Sequence, residues 1–149
     1  MVRMKRFEEH IRIGAPADRV YDHVADMTTH AEWSGNGLEV TKSSDGPVAV
    51  GTVYATTAKQ FGTQREKSTV TEMTPGRTFA WDSTGALGRA HHVFALAGEG
   101  GSTIVTKSAE IVEPRFLARL TGWKLAKDIP AGLRRDLERI KVHIEGSAS

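Results

Sequence analysis

From Leu38 to Val112 the chain repeats one pattern: a short apolar or alternating stretch, then turn chemistry. Ser43-Ser-Asp-Gly-Pro47, Pro75-Gly76 and Gly98-Glu-Gly-Gly101 are the clearest interruptions. Between them, Leu38–Lys42, Gly51–Lys59, Gln64–Met73, Arg77–Thr84, Arg89–Leu96 and Ser102–Val112 read as consecutive strands. Connections this short cannot hold parallel crossovers, so the sheet is antiparallel. Its apolar face must be covered by another element.

The cover is legible further on. Pro114 is predicted to open a long helix, with Phe116, Leu120 and Trp123 on one stripe. Leu133, Leu137, Ile140 and Ile144 form a second stripe at spacings of four, three and four. Pro130 lies between the stripes and is expected to kink or break the helix. About thirty helical residues would span roughly 45 Å, and such a helix is expected across the concave face of the sheet. Ahead of the strand run, Phe7, Ile11 and Ile13 alternate with Glu8, His10 and Arg12, which gives one more half-buried strand. Pro16 suits the first turn of a short helix carrying Val20, Val24 and Met27. Thr29-His-Ala-Glu-Trp33 reads as a second short helical turn, closed by Gly35-Asn-Gly37. The expected fold is α+β: a curved antiparallel sheet of about seven strands around a long C-terminal helix, with two short helices after strand 1.

At 149 residues the chain is expected to be one domain over 1–149, able to bury a substantial core. Hydrophobic residues at 39% and charged residues at 26% exclude a disordered tail. No run approaches the ~18 apolar residues of a membrane span, so no integral membrane contact is expected. No apolar segment follows Met1-Val-Arg-Met-Lys-Arg6, so no secretory signal is visible and a cytoplasmic location is expected. The absence of cysteine excludes disulfides, thiolate metal sites and cysteine nucleophiles. Residues 114–149 hold eight basic and four acidic side chains in a chain of net charge +2. That segment reads either as a solvated helix face or as a surface for an anionic partner. Its acids dilute the basic residues and the regular aromatic interleaving of a single-strand binder is missing, so nucleic acid is not an expected partner.

The order of elements resembles the helix-grip fold of the START/Bet v1-like (SRPBCC) superfamily, and within it the bacterial polyketide cyclase/dehydrase-like and lipid-transport group. Ile11-Arg-Ile-Gly-Ala-Pro-Ala-Asp-Arg-Val-Tyr-Asp-His-Val24 resembles the family's opening strand and first helix. Glu32-Trp33, Val50-Gly-Thr52, Val70-Thr-Glu-Met-Thr-Pro-Gly-Arg77 and Gly101-Ser-Thr-Ile-Val-Thr106 resemble four further motifs in register. Together they cover residues 7 to 145. The resemblance implies a deep, mostly apolar cavity between sheet and helix. It implies a hydrophobic ligand such as a lipid, sterol, quinone or aromatic polyketide, and no cofactor. Some members cyclise or dehydrate a bound chain, and others only carry it, so the fold leaves the activity open.

Dinucleotide, phosphate-loop and nucleophile-elbow motifs are absent, and the six histidines show no metal-ligand spacing on a single helix face. His91 and His92 are adjacent in a strand and so point to opposite faces; parity with Phe94 and Leu96 turns His92 inward. Glu9, Glu66 and Lys107 also fall on faces that should be apolar. They read either as a polar cavity floor that moves protons or as strand ends that reach water. Trp33, Tyr54, Phe79, Trp81, Phe94 and Trp123 are the candidate ligand walls, with Phe61 less firmly placed; ordinary core packing is the alternative for each. In a cyclase-like mechanism of the kind the resemblance implies, His92, Glu66 or Glu9 would shuttle protons and Lys107 or Arg65 would stabilise an enolate. A non-catalytic lipid or quinone carrier is the first alternative. An interaction protein using the basic C-terminal helix is the second.

Overall fold

The computed structural model describes residues 6–30, 39–59, 63–85, 88–114 and 122–146, with backbone alone at 58–59, 63–64, 113–114 and 122–128. Seven strands form one antiparallel sheet: β1 Arg6–Ile13, β2 Glu39–Lys42, β3 Val53–Lys59, β4 Thr63–Thr74, β5 Thr78–Gly85, β6 Gly88–Glu99 and β7 Ser102–Pro114. Their spatial order is β1-β7-β6-β5-β4-β3-β2, so only β1 is out of sequence, pairing with the last strand. Among the described residues the α-helices are α1, Ala17–Val24, and α2, Gly122–Gly146.

Strand parity reads as expected. Phe7 and Ile13 are buried while Glu8, His10 and Arg12 are exposed or partly so. Pro16 caps α1 in extended conformation, and α1 buries Val20, Tyr21 and Val24 against β5, β6 and β7. A 3-10 turn, Met27–Thr29, follows α1, and its Asp26 side chain accepts the Thr28 backbone N–H at 3.1 Å. The rest of the expected second short helix, with Trp33, lies outside the described residues. Gly76 turns the chain at φ 75, and a Cβ there would sit 2.9 Å from an Asp18 carboxylate oxygen on α1. Both facts favour glycine at that turn.

Pro114 is the last residue of β7, and residues 115–121, where the expected helix would begin, lie outside the described residues. A first-turn proline and a strand-terminal proline look alike in sequence, because both lack an N–H that would go unbonded. Phe116 and Leu120 lie outside the described residues, and the Trp123 side chain is not described. Helix α2 runs through Pro130 without a break. It is held beyond that point by Leu133, Leu137, Ile140 and Ile144, all at most 5% exposed. Burying four such side chains contributes about 1.5–3 kcal/mol each, enough to offset the ~3 kcal/mol cost of an interior proline. The helix packs chiefly against β1 and β7, at one end of the sheet. Leu137 is 1% exposed. Leu137→Ala is expected to lower unfolding free energy by about 2–5 kcal/mol in urea titrations.

Candidate functional site

The concave face of the sheet is apolar at its centre. Phe79 and Phe94 are fully buried, Trp81 is 5% exposed, and Tyr54 and Val70 on the neighbouring strands are 1% exposed. The Trp81 ring lies 5.7 Å from both phenylalanine rings. Four of the six expected wall residues, Tyr54, Phe79, Trp81 and Phe94, therefore sit in one core cluster. Trp33 and the Trp123 side chain are outside the described set, as is Phe61.

Polar groups break this face near its junction with α2. Lys107 is 6% exposed and donates to Asp136 Oδ2 of α2 at 3.2 Å. Its ammonium also lies 5.5 Å from the centroid of the Phe94 ring, within cation–π range. Burial pushes the lysine pKa down, and Asp136 opposes that shift. The other carboxylate oxygen of Asp136 is buried and makes no hydrogen bond among the described residues, and the Arg135 guanidinium lies 3.7 Å from it.

Two histidines adjoin this pair. His92 stacks on Trp81 at 5.0 Å with a 12° interplanar angle, and its Nε2 is 3.0 Å from Ser83 Oγ. His30 is 2% exposed, its ring lies 5.0 Å from that of Trp81, and it donates from Nε2 to Val24 O at 3.0 Å. Burial pushes both pKa values down to about 3, and the Lys107 charge pushes the same way. Both rings are neutral at pH 7. His91 points to the opposite face, where its Nδ1 meets Asp82 Oδ1 at 2.6 Å and Arg89 bonds the other Asp82 oxygen at 3.0 Å.

The remaining candidates separate. Glu9 is the direct cross-strand partner of Lys107, yet its carboxylate turns to Arg134 of α2 at 3.3 Å and keeps 23% side-chain exposure. Glu66 does face inward, and burial raises its pKa. However, Lys107 lies in register with Phe94, Phe79 and Met73, whereas Glu66 sits beside Gly85 at the far end of β5. At about 3.3 Å per residue and 4.8 Å per strand, six residues and three strands put Glu66 roughly 20–25 Å from Lys107. Arg65 is exposed. The three inward charges thus do not meet at one point, and the lysine's partner is Asp136, which the strand pattern alone does not expose. Asp136 does carry a signal: it is three residues after Leu133 and four before Ile140, on the buried stripe of α2.

The Glu66 carboxylate has no hydrogen-bond or ion-pair partner among the described residues. Its raised pKa means that the folded state holds the proton more tightly than the unfolded chain. The stability this contributes is present below the ordinary glutamate pKa of 4.5 and is lost as pH rises through the folded value. Glu66→Gln should therefore raise the urea midpoint at pH 7 and leave it nearly unchanged at pH 4. Gly85 makes room for this side chain: a Cβ there would sit 2.7 Å from Glu66 Cγ. Gly85→Ala should cost about 1–3 kcal/mol, and Gly85→Ala with Glu66→Ala should recover most of it.

Among the described residues no group of three or more His, Asp or Glu gathers to hold a metal. No described helix is long and apolar enough to cross a membrane. The outer face of α2 carries a shallow depression lined by Arg135, Glu138, Arg139, Val142 and His143.

Comparison with known proteins agrees with this geometry. The family model described as polyketide cyclase / dehydrase and lipid transport matches residues 4–145. The search of curated proteins found no significant match. Among solved structures, TTHA0849 from Thermus thermophilus is similar at TM-score 0.77 and 16% identity, over 97% of this chain and 100% of that one. Zhui aromatase/cyclase from Streptomyces sp. R1128 is similar at TM-score 0.76 and 16% identity, over 97% and 96%. Ara h 8.0201 is similar at TM-score 0.68 and 13% identity, over 95% and 98%. These structural similarities, at 13–16% identity, establish a shared fold.

Proposed function

The chain belongs to the polyketide cyclase / dehydrase and lipid transport family, and from that premise we propose that it binds a hydrophobic, carbonyl-bearing small molecule against the aromatic concave face and acts on it in the manner of a cyclase/dehydratase. The observation that carries the reading is the polar cluster of Lys107, Asp136, His92 and His30 set beside Trp81 and Phe94. A plain carrier needs only apolar walls, and a buried charged pair costs stability that an apolar pair would not. Zhui, of the same fold, is named an aromatase/cyclase, which supports the same reading.

In this proposal the rings of Trp81, Phe79 and Phe94 hold the ligand flat, and positioning supplies much of the acceleration. Lys107 stabilises an enolate oxygen. Neutral His92, too weak a base at a pKa of about 3 to take a proton at pH 7, serves as a hydrogen-bond donor. Asp136 carries the proton in place of Glu66 and Glu9, because it adjoins Lys107 while Glu66 lies at the far end of the sheet. No cofactor enters these steps.

The test is a ligand panel of planar aromatic ketones, fused-ring phenols and fatty acids, read by tryptophan fluorescence and native mass spectrometry of the purified protein. The reading expects quenching by aromatic ketones and phenols. No response to the whole panel would contradict it. A response to fatty acids alone would favour the carrier.

A further inference from the structure

We propose that Lys107 is a nucleophilic amine that forms an imine with a ketone of the bound molecule, so that the natural ligand class is an unhindered ketone or 1,3-diketone. The inference rests on the ligand-binding reading above and extends it to covalent chemistry.

Three features of the cluster support it. The lysine amine is buried on the concave face between Phe94 and Asp136, not extended into solvent. A desolvated lysine is the ordinary route to amine catalysis, because burial disfavours the ammonium that cannot attack. Asp136 meets the amine through Oδ2 at 3.2 Å, so a carboxylate oxygen is in place beside the nitrogen to take its proton. His30 and His92 are neutral and add no positive charge against a protonated imine, while the Arg135 guanidinium, whose charge also acts on the lysine, lies 3.7 Å from Asp136 Oδ1.

The step balances without a co-reactant. The carboxylate accepts a proton from the ammonium. Nζ attacks the carbonyl carbon, forming the C–N bond as the C=O π electrons move to oxygen, and a proton then passes from the nitrogen to that oxygen. The resulting carbinolamine loses its hydroxyl as water, with the proton returned by Asp136, and leaves a protonated C=N. That cationic imine acidifies the adjacent C–H, which is the activation that carbon–carbon bond formation requires. With a 1,3-diketone the imine tautomerises to a conjugated enaminone.

The experiment incubates the folded chain with 1-phenylbutane-1,3-dione and follows near-ultraviolet absorbance, intact mass, peptide mapping and tryptophan quenching. The expected result is a new enaminone band and one adduct per chain, with the mass of the probe less one water, on the peptide containing Lys107. Lys107→Arg, which keeps the charge but forms no stable imine, should lose the band while still quenching. Peptide mapping of the parent protein keeps the test valid even if that variant folds poorly. Quenching without an adduct at Lys107 overturns the imine and leaves the ligand reading standing. Adducts confined to exposed amines such as Lys67 also overturn it. Neither quenching nor adduct overturns both.

Discussion

Replacing Asp136 with alanine is expected to lower unfolding free energy by about 3–5 kcal/mol, a change as large as any core truncation in this chain. The substitution takes the 3.2 Å carboxylate from the Lys107 ammonium, which is 6% exposed. The cost is that of a buried charge that has lost its carboxylate, not the value of the ion pair itself. A double variant, Lys107→Met with Asp136→Leu, removes both charges and should return to within about 1 kcal/mol of the starting stability, or exceed it. Urea titration of the three proteins measures this. If Asp136→Ala costs less than about 1 kcal/mol, the lysine finds water there, and the desolvated site is wrong. Recovery in the double variant would also mean that the pair is kept at the expense of stability, as expected of residues retained for chemistry.

The second large effect is acid sensitivity. His30 and His92 have folded pKa values of about 3 against an ordinary 6.5. The unfolded chain therefore takes up two protons that the folded chain refuses. Stability is full above about pH 6.5 and falls as pH drops from 6.5 towards 3, by several kcal/mol for the two rings together. His92 contributes less than His30, since its side chain is only partly buried. His30→Gln keeps a donor for Val24 O but does not titrate. Its stability should fall less steeply than that of the parent between about pH 6 and pH 4. Parallel slopes for the two proteins would contradict the burial of a neutral His30.

Much of this architecture is legible in local pattern. Phe7, Ile11 and Ile13 fix the inner face of β1 by alternation, and the Leu133-Leu137-Ile140-Ile144 stripe fixes the buried side of α2, because burial imposes periods of 2 and 3.6 directly on the chain. The inward turns of His92, Glu66 and Lys107 follow from the same rule. What parity cannot give is distance along and across strands. Glu66 and Lys107 share a face, yet cross-strand pairing puts them at opposite ends of the sheet. That pairing is long-range and is set by turns and a register shift between Val70 and Glu72. Asp136 reads as one more acid in a basic helix until its position on the apolar stripe is weighed. His30 follows Met27 by three residues, but its burial depends on Trp81 and Phe94, far away in sequence. Pro114 is ambiguous because helix starts and strand ends tolerate proline for the same reason.

The two principal readings of the surface differ in where a ligand acts. The cluster at Lys107 faces the aromatic core, whereas Arg135, Arg139 and His143 line the outer depression of α2. Amide and indole NMR spectra of the isotopically labelled protein, recorded during titration with 1-phenylbutane-1,3-dione, test the central claim most directly. The account predicts saturable shifts at the Trp81 indole N–H and at the backbone of His92, Phe94 and Lys107, with little change at Arg139 and Val142. Shifts confined to the outer face of α2, or none at any concentration, would contradict it.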